Sequence, residues 1–236
     1  GYSPLNYNVP EGIYSTDPYD GNTRITEFKE MVQALHENGI GVVMDVVFNH
    51  VGGGSAKNSW LDKTVPGYYF RTDEWGNYMD SGTACGNETK SEAEMFRKYM
   101  IDSVVYWAEE YHIDGFRFDL MGCHDVQTMN DIRDALDKLA GGEKILMYGE
   151  PWAAGTTNQA EDVTMVSQAN MTKLNPRIGA FNDFIRDSMK GRVFDDSSTG
   201  FVQAGNYQEQ PADCPVYKDE DTMAALQGNT NEELPD

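Results

Sequence analysis

Two short stretches carry residue types that could do chemistry together. Gly115-Phe-Arg-Phe-Asp119 ends an apolar run on an Arg-x-Asp pair, and Tyr148-Gly-Glu-Pro-Trp152 follows a second run with a lone glutamate. Gly115–Phe118 and Lys144–Tyr148 are long enough only for buried strands of a parallel sheet. Such strands deliver the residues after them to the C-terminal edge of the sheet, where barrel enzymes carry out their reactions. Carboxylates on two neighbouring strand ends are the equipment for cleaving a glycosidic bond, one as nucleophile and the other as acid and base in turn. Arg117, two residues before Asp119, points to the same side of its strand and favours the ionised carboxylate. An Arg–Asp ion pair beside an unrelated glutamate would leave the same two strings, and on these residues alone the two readings stand even.

The elements that must position these groups alternate. A helical pattern from Thr26 puts Phe28, Met31, Val32 and Leu35 on one face and stops at Gly39. Ile40–Phe48 reads as a buried strand ending on Asn49-His50. Asn49–Lys90 is too long for an ordinary strand-to-helix connection. Ser91 and Glu94 have capping-box spacing for a helix running to about Tyr111. Strand Gly115–Asp119, a helix around Met129–Leu139, strand Lys144–Tyr148, strand Ile178–Phe181 and helix Asp183–Lys190 follow. Strand–helix alternation of this kind is an α/β chain with a parallel sheet. About four units are present where a closed (β/α)8 barrel has eight. The expectation is a partial barrel over residues 1–205, with residues 49–90 as a long loop after the first strand. The acidic stretch 206–236 is left unassigned.

Composition narrows the partners. The 236 residues are 39% hydrophobic and 11% aromatic, enough for a packed core. A net charge of −21 repels nucleic acid and anionic membrane surfaces and suits a neutral ligand such as a sugar. Cys85, Cys123 and Cys214 form no C-x-x-C pair and read as free or buried thiols. No apolar run approaches the length of a membrane span. Gly1 opens onto Tyr-Ser-Pro with no signal peptide, as the middle of a domain would, and leaves cytoplasmic and exported settings equally open.

Three strand ends now converge, and their wording resembles a known family. Asp45-Val-Val-Phe-Asn-His50, Gly115-Phe-Arg-Phe-Asp119 and Gly149-Glu-Pro-Trp152 are similar, in order, to three signatures of the α-amylase family, glycoside hydrolase family 13. After Asp119 the chain reads Leu120-Met121-Gly122, where α-amylases usually carry a Lys-His pair. That string resembles the type I pullulanase branch, which debranches α-1,6 links. Gly1–Pro10, Thr64–Arg71, Gly86-Asn-Glu88 and Tyr111–Asp114 resemble the same branch, and the similarity runs to about Gly205.

The resemblance implies a retaining hydrolase of pullulan, amylopectin and related α-glucans, with Asp119 as nucleophile, Glu150 as acid/base and Arg117 orienting Asp119. It further implies that His50 contacts the sugar in the cleaved subsite, that Tyr2 stacks on that ring, that Asp45 buttresses Arg117, and that Trp152 and Met121 shape the acceptor side. Simpler readings compete: Asp45 as a buried paired carboxylate, Tyr2 and Trp152 as packing aromatics, Met121 as core, and His36 and His124 as surface or packing histidines. No cofactor is required. Calcium often accompanies the family, yet Asp73–Asp80 lacks the EF-hand order of ligands and reads as a solvated loop, so no metal ligand is assigned. The family's fourth signature, a His-Asp pair, has no counterpart after Glu150, where the sequence contains no histidine. The expectation is therefore a piece of a longer enzyme that is inactive alone, with α-1,4 or mixed specificity and an inactive glucan-binding fragment as the rival readings.

Overall fold

Helices start where a side chain can take up the free N–H groups of a first turn. Asp20 does this for α1 (Gly21–Glu37), accepting from Asn22 N–H. The end of α1 is fixed by Gly39, whose positive φ lets the chain turn so that Ile40 N–H reaches Leu35 O and Gly39 N–H reaches His36 O. After β1 (Val43–Val46) the chain makes its long excursion, which includes the short helix α2 (Trp60–Thr64), capped by Ser59. Then come α3 (Glu94–Tyr111), β2 (Gly115–Phe118), α4 (Val126–Asp137), β3 (Leu146–Gly149), β4 (Ile178–Ala180) and α5 (Asp183–Lys190). This computed structural model describes residues 2–193 and 200–202, so the acidic stretch 206–236 and Cys214 lie outside the described residues.

The four strands form one all-parallel sheet in the order β1-β2-β3-β4. With α3 crossing between β1 and β2, α4 between β2 and β3, and only a short 3-10 helix (Gln168–Lys173) between β3 and β4, this is part of a (β/α)8 barrel. One face of the sheet is covered. Val46, Phe116, Phe118, Met147 and Ile178 join a core with Phe96, Met100, Val104 and Trp107 of α3 and Met129, Ile132 and Leu136 of α4. Full burial of a side chain such as Phe116 or Phe118 contributes about 1.5–3 kcal/mol. The other face, with Val43, Asp45, Arg117, Leu146 and Tyr148, is open to different degrees, and Val43, Asp45 and Leu146 are exposed. The expectation of buried strands holds for one face only: alternation along each strand puts one set of side chains in the core and the other on the open face.

The capping box expected at Ser91 and Glu94 does not form. The α3 N-cap is Ala93, without a side-chain cap. Ser91 Oγ instead donates to Asp125 Oδ2 (2.7 Å) and accepts from Asp125 N–H (2.9 Å). The buried Asp125 carboxylate also caps α4 through Thr128 N–H, and its demand for donors outweighs a local cap. The chain divides into two compact units, Gly1–Ala180 and Phe181–Asp236. In the second, Asn182 caps α5 by accepting from Ile185 N–H. No helix among the described residues is long and apolar enough to cross a membrane.

The long excursion is tied down by buried polar groups. Asn87 bonds both backbone groups of Val51, and Thr89 bonds Asn49 O and Phe48 O. Asp73 uses its carboxylate on Trp75 and Asn77, closing a tight turn. Arg71, fully buried, reaches Glu88 Oε1 at 2.6 Å, Glu92 Oε2 at 2.7 Å and the carbonyl of Cys123 at 2.9 Å. Cys123 is a buried free thiol and Cys85 an exposed one. His124 is packing: it is fully buried, neither ring nitrogen has a hydrogen-bond partner among the described residues, and burial with the nearby Arg71 charge pushes its pKa down to about 3. His36 is a surface residue paired with Asp114 at 2.7 Å. Replacing Arg71 leaves Glu88 buried without its counter-charge, which costs about 3–5 kcal/mol. Arg71→Met is therefore expected to lower unfolding stability by that amount in urea titration; a loss under about 1 kcal/mol would show the network to be peripheral.

Candidate active site

The parallel ladder continues one step past β2 and β3. Asp119 N–H donates to Val46 O at 3.0 Å and Glu150 N–H to Phe118 O at 3.1 Å, so both carboxylates leave the sheet at its C-terminal edge. Register places Asp45 of β1 directly opposite Arg117 of β2 on the same face. Arg117 then meets three carboxylates. Its Nη1 lies 2.8 Å from Asp45 Oδ1 and 2.9 Å from Asp119 Oδ1, and its Nη2 lies 2.6 Å from Glu150 Oε1. Arg117, Asp119 and Glu150 side chains are only 15%, 16% and 18% exposed, so these attractions are screened less than surface pairs. Partial burial works against the Arg117 charge, but the Asp45 and Asp119 hydrogen bonds and the Glu150 charge outweigh it and raise its pKa.

Asn49 is a participant that the sequence reading did not single out, although it stands on the end of the first strand. It is fully buried, and its Nδ2 donates to Asp119 O at 2.9 Å and Asp119 Oδ2 at 3.0 Å. Both of those atoms only accept, so the amide nitrogen must face Asp119 and the amide oxygen must face away. That oxygen lies 2.6 Å from His50 Nδ1, which therefore carries a proton. Neutral His50 is left with Nε2 as an acceptor, and that buried atom has no hydrogen-bond partner among the described residues. Burial lowers the His50 pKa, and the Asp119 charge and a Tyr2 backbone contact only partly offset it, so the ring stays neutral.

The remaining predicted residues fall in different places. Asp45 is 40% exposed rather than buried, so the reading of a buried mid-strand carboxylate is corrected; it accepts from Arg117 and, through Oδ2, from the Tyr2 hydroxyl at 2.6 Å. That contact raises the Tyr2 pKa, and the Tyr2 ring remains exposed beside the site. Trp152 is half-buried, with its carbonyl accepting from Gly122 N–H. Met121 is the one the structure does not bring to the cleft. It is fully buried in the core and presents no surface to a ligand, which matches the simpler reading of it. Glu150 is gripped from a direction the sequence does not reveal: its Oε2 accepts from the backbone N–H of Leu120 at 2.7 Å. Among the described residues no His, Cys, Asp and Glu cluster has the geometry to hold a metal ion.

The sheet thus carries an Arg-bridged Asp/Glu pair on adjacent strand ends at its C-terminal edge. No family model matches the sequence. Among curated proteins, the chain is 46% identical over 202 residues to the pullulanase of Bacillus subtilis strain 168, covering 86% of this chain and 27% of that protein. It is 41% identical over 199 residues to pullulanase 1, chloroplastic, of Arabidopsis thaliana, covering 81% of this chain and 20% of that one. Among solved structures, the Paenibacillus barengoltzii pullulanase in complex with maltohexaose and α-cyclodextrin matches with a TM-score of 0.80 at 48% identity, over 87% of this chain and 30% of that one. The Anoxybacillus pullulanase complexed with maltotetraose matches with a TM-score of 0.83 at 41% identity, over 97% of this chain and 31% of that one. The chain belongs to the pullulanases of the α-amylase family, and it spans about a quarter of the length of these curated relatives.

The hydrogen-bond order through Asn49 makes a prediction independent of turnover. Nitrogen-detected NMR of the imidazole should show His50 as the Nδ1–H tautomer, with a pKa below the ordinary histidine value near 6.5. An Nε2–H tautomer, or a pKa above that value, would contradict the assignment.

Proposed function

We propose that this chain supplies the nucleophile and the acid/base of an enzyme that hydrolyses α-1,6-glucosidic branch links in pullulan and related α-glucans. The observation that carries the reading is Arg117 holding Asp119 and Glu150 on the two amino groups of one guanidinium. That sharing keeps the carboxyls neighbours, as the roughly 5 Å separation of a retaining pair requires. In the first step Asp119 attacks the anomeric carbon while Glu150 gives its proton to the departing glycosidic oxygen. In the second, Glu150 takes a proton from water, whose oxygen attacks the same carbon and releases Asp119. Both Glu150 oxygens accept hydrogen bonds in this structure, so taking up the first proton means giving up part of the Arg117 pairing. Three carboxylates share one guanidinium, and the negative potential left over suits the oxocarbenium-like transition state.

The choice of ligand rests on the relatives. Those solved with maltohexaose and maltotetraose bear the name pullulanase, and the Leu120-Met121-Gly122 string departs from the α-amylase pattern. The exposed Tyr2 ring supports the reading, since a sugar presents an apolar C–H face on which an aromatic ring can stack.

The test uses the product of the complete gene. It should release reducing sugar from pullulan and leave amylose nearly untouched. Asp119→Asn should lower that rate by orders of magnitude with the melting temperature retained, because the covalent route is lost while the fold is not. Preference for amylose, or an Asp119→Asn protein that turns over normally and merely melts earlier, would contradict the proposal.

A further inference from the structure

The residue after Asp119 adopts a backbone conformation that needs a reason. Leu120 has φ 42° and ψ 53°, in the left-handed region, which is disfavoured for an L-residue with a side chain. The same conformation aims its N–H at Glu150 Oε2, 2.7 Å away. The chain then makes a single 3-10 turn, Met121–Cys123, and Gly122 N–H meets both Glu150 O at 3.0 Å and Trp152 O at 3.1 Å. Two N–H groups of one tight turn thus hold the side chain and the main chain of the same glutamate.

The turn has no room to drift. A Cβ at residue 122 would sit 2.6 Å from the Trp152 carbonyl oxygen and closer still to the carbonyl carbon, so only glycine lets the two backbones meet. From the other side, Cys123 O accepts from the buried Arg71 at 2.9 Å, and Cys123 Sγ lies 3.2 Å from Gly82 O. Met121 is anchored in the core.

We propose that the Leu120–Gly122 backbone is a positioning element for Glu150, fixing Oε2 through the Leu120 N–H while Oε1 lies on Arg117. This rests on the reading of Glu150 as acid/base. Leu120 acts through its main chain, so its side-chain identity matters less than its conformation. With Oε1 on Arg117 and Oε2 on Leu120, the carboxyl plane is set before substrate arrives, and proton transfer needs no search over rotamers.

Two variants of the complete gene product test this. Gly122→Ala forces the turn off the Trp152 backbone; replacing Leu120 by its α-hydroxy acid swaps the N–H for an ester oxygen and leaves every side chain in place. Each is expected to lower kcat on pullulan by about a hundredfold, with KM changed less than about twofold. The loss should be much smaller on an aryl α-glucoside whose leaving group departs without a proton. Equal loss on both substrates, or an ester variant with undiminished kcat on pullulan, would overturn the proposal; the ester variant decides if Gly122→Ala does not fold. Failure of the underlying reading looks different: the unsubstituted protein would not cleave pullulan, or Glu150→Gln would show no dependence on the leaving group.

Discussion

One guanidinium holds this site together. Two carboxylates at about 4 Å repel by about 4 kcal/mol at the effective dielectric of a partly buried site, and here three converge. Without Arg117 they would turn outward or take up protons. With it, each gains an attraction of similar size, and the three are held at distances of 2.6–2.9 Å from its nitrogens. The register of the sheet is subordinate to that arrangement: β1 supplies Asp45 opposite Arg117, and β2 and β3 each run one ladder step further to deliver Asp119 and Glu150.

Around the hub, neutral donors fix what the charge alone would leave free. A guanidinium attracts a carboxylate but does not dictate its rotation when several compete. Asn49 orients Asp119 and in doing so assigns the proton on His50; Leu120 N–H orients Glu150. The long excursion after β1 contributes from behind, since buried Arg71 spans Glu88, Glu92 and the carbonyl of Cys123, the last residue of the turn next to Glu150. Folding energy of that loop and geometry of the site are therefore coupled through one buried arginine.

Much of this was legible in the sequence because strand ends are. An apolar run followed by a charged residue predicts both the strand and the direction of delivery, and Asp119, Glu150 and Arg117 follow from it. Asn49 stood in plain view on such an end, but an amide has no chemistry to advertise it. The Leu120 contact is a backbone N–H, which no residue type encodes. Met121 misled for a related reason: membership of a motif says nothing about direction, and the 3-10 turn rotates that side chain into the core. Ser91 and Glu94 carried correct local spacing and lost to a distant competitor, the buried Asp125 carboxylate. Period-2 alternation in β1 was hidden because Val43 on the open face is as apolar as its covered neighbours.

On the proposed mechanism Asp119, held by Arg117 and Asn49, forms the covalent bond to the sugar. The direct measurement is to incubate the complete gene product with a slow fluorinated α-glucosyl fluoride, digest it and locate the sugar by mass spectrometry. One glycosyl ester is expected, on Asp119. A sugar found on Glu150 or Asp45, or turnover of the fluoride with no residue labelled, would contradict it.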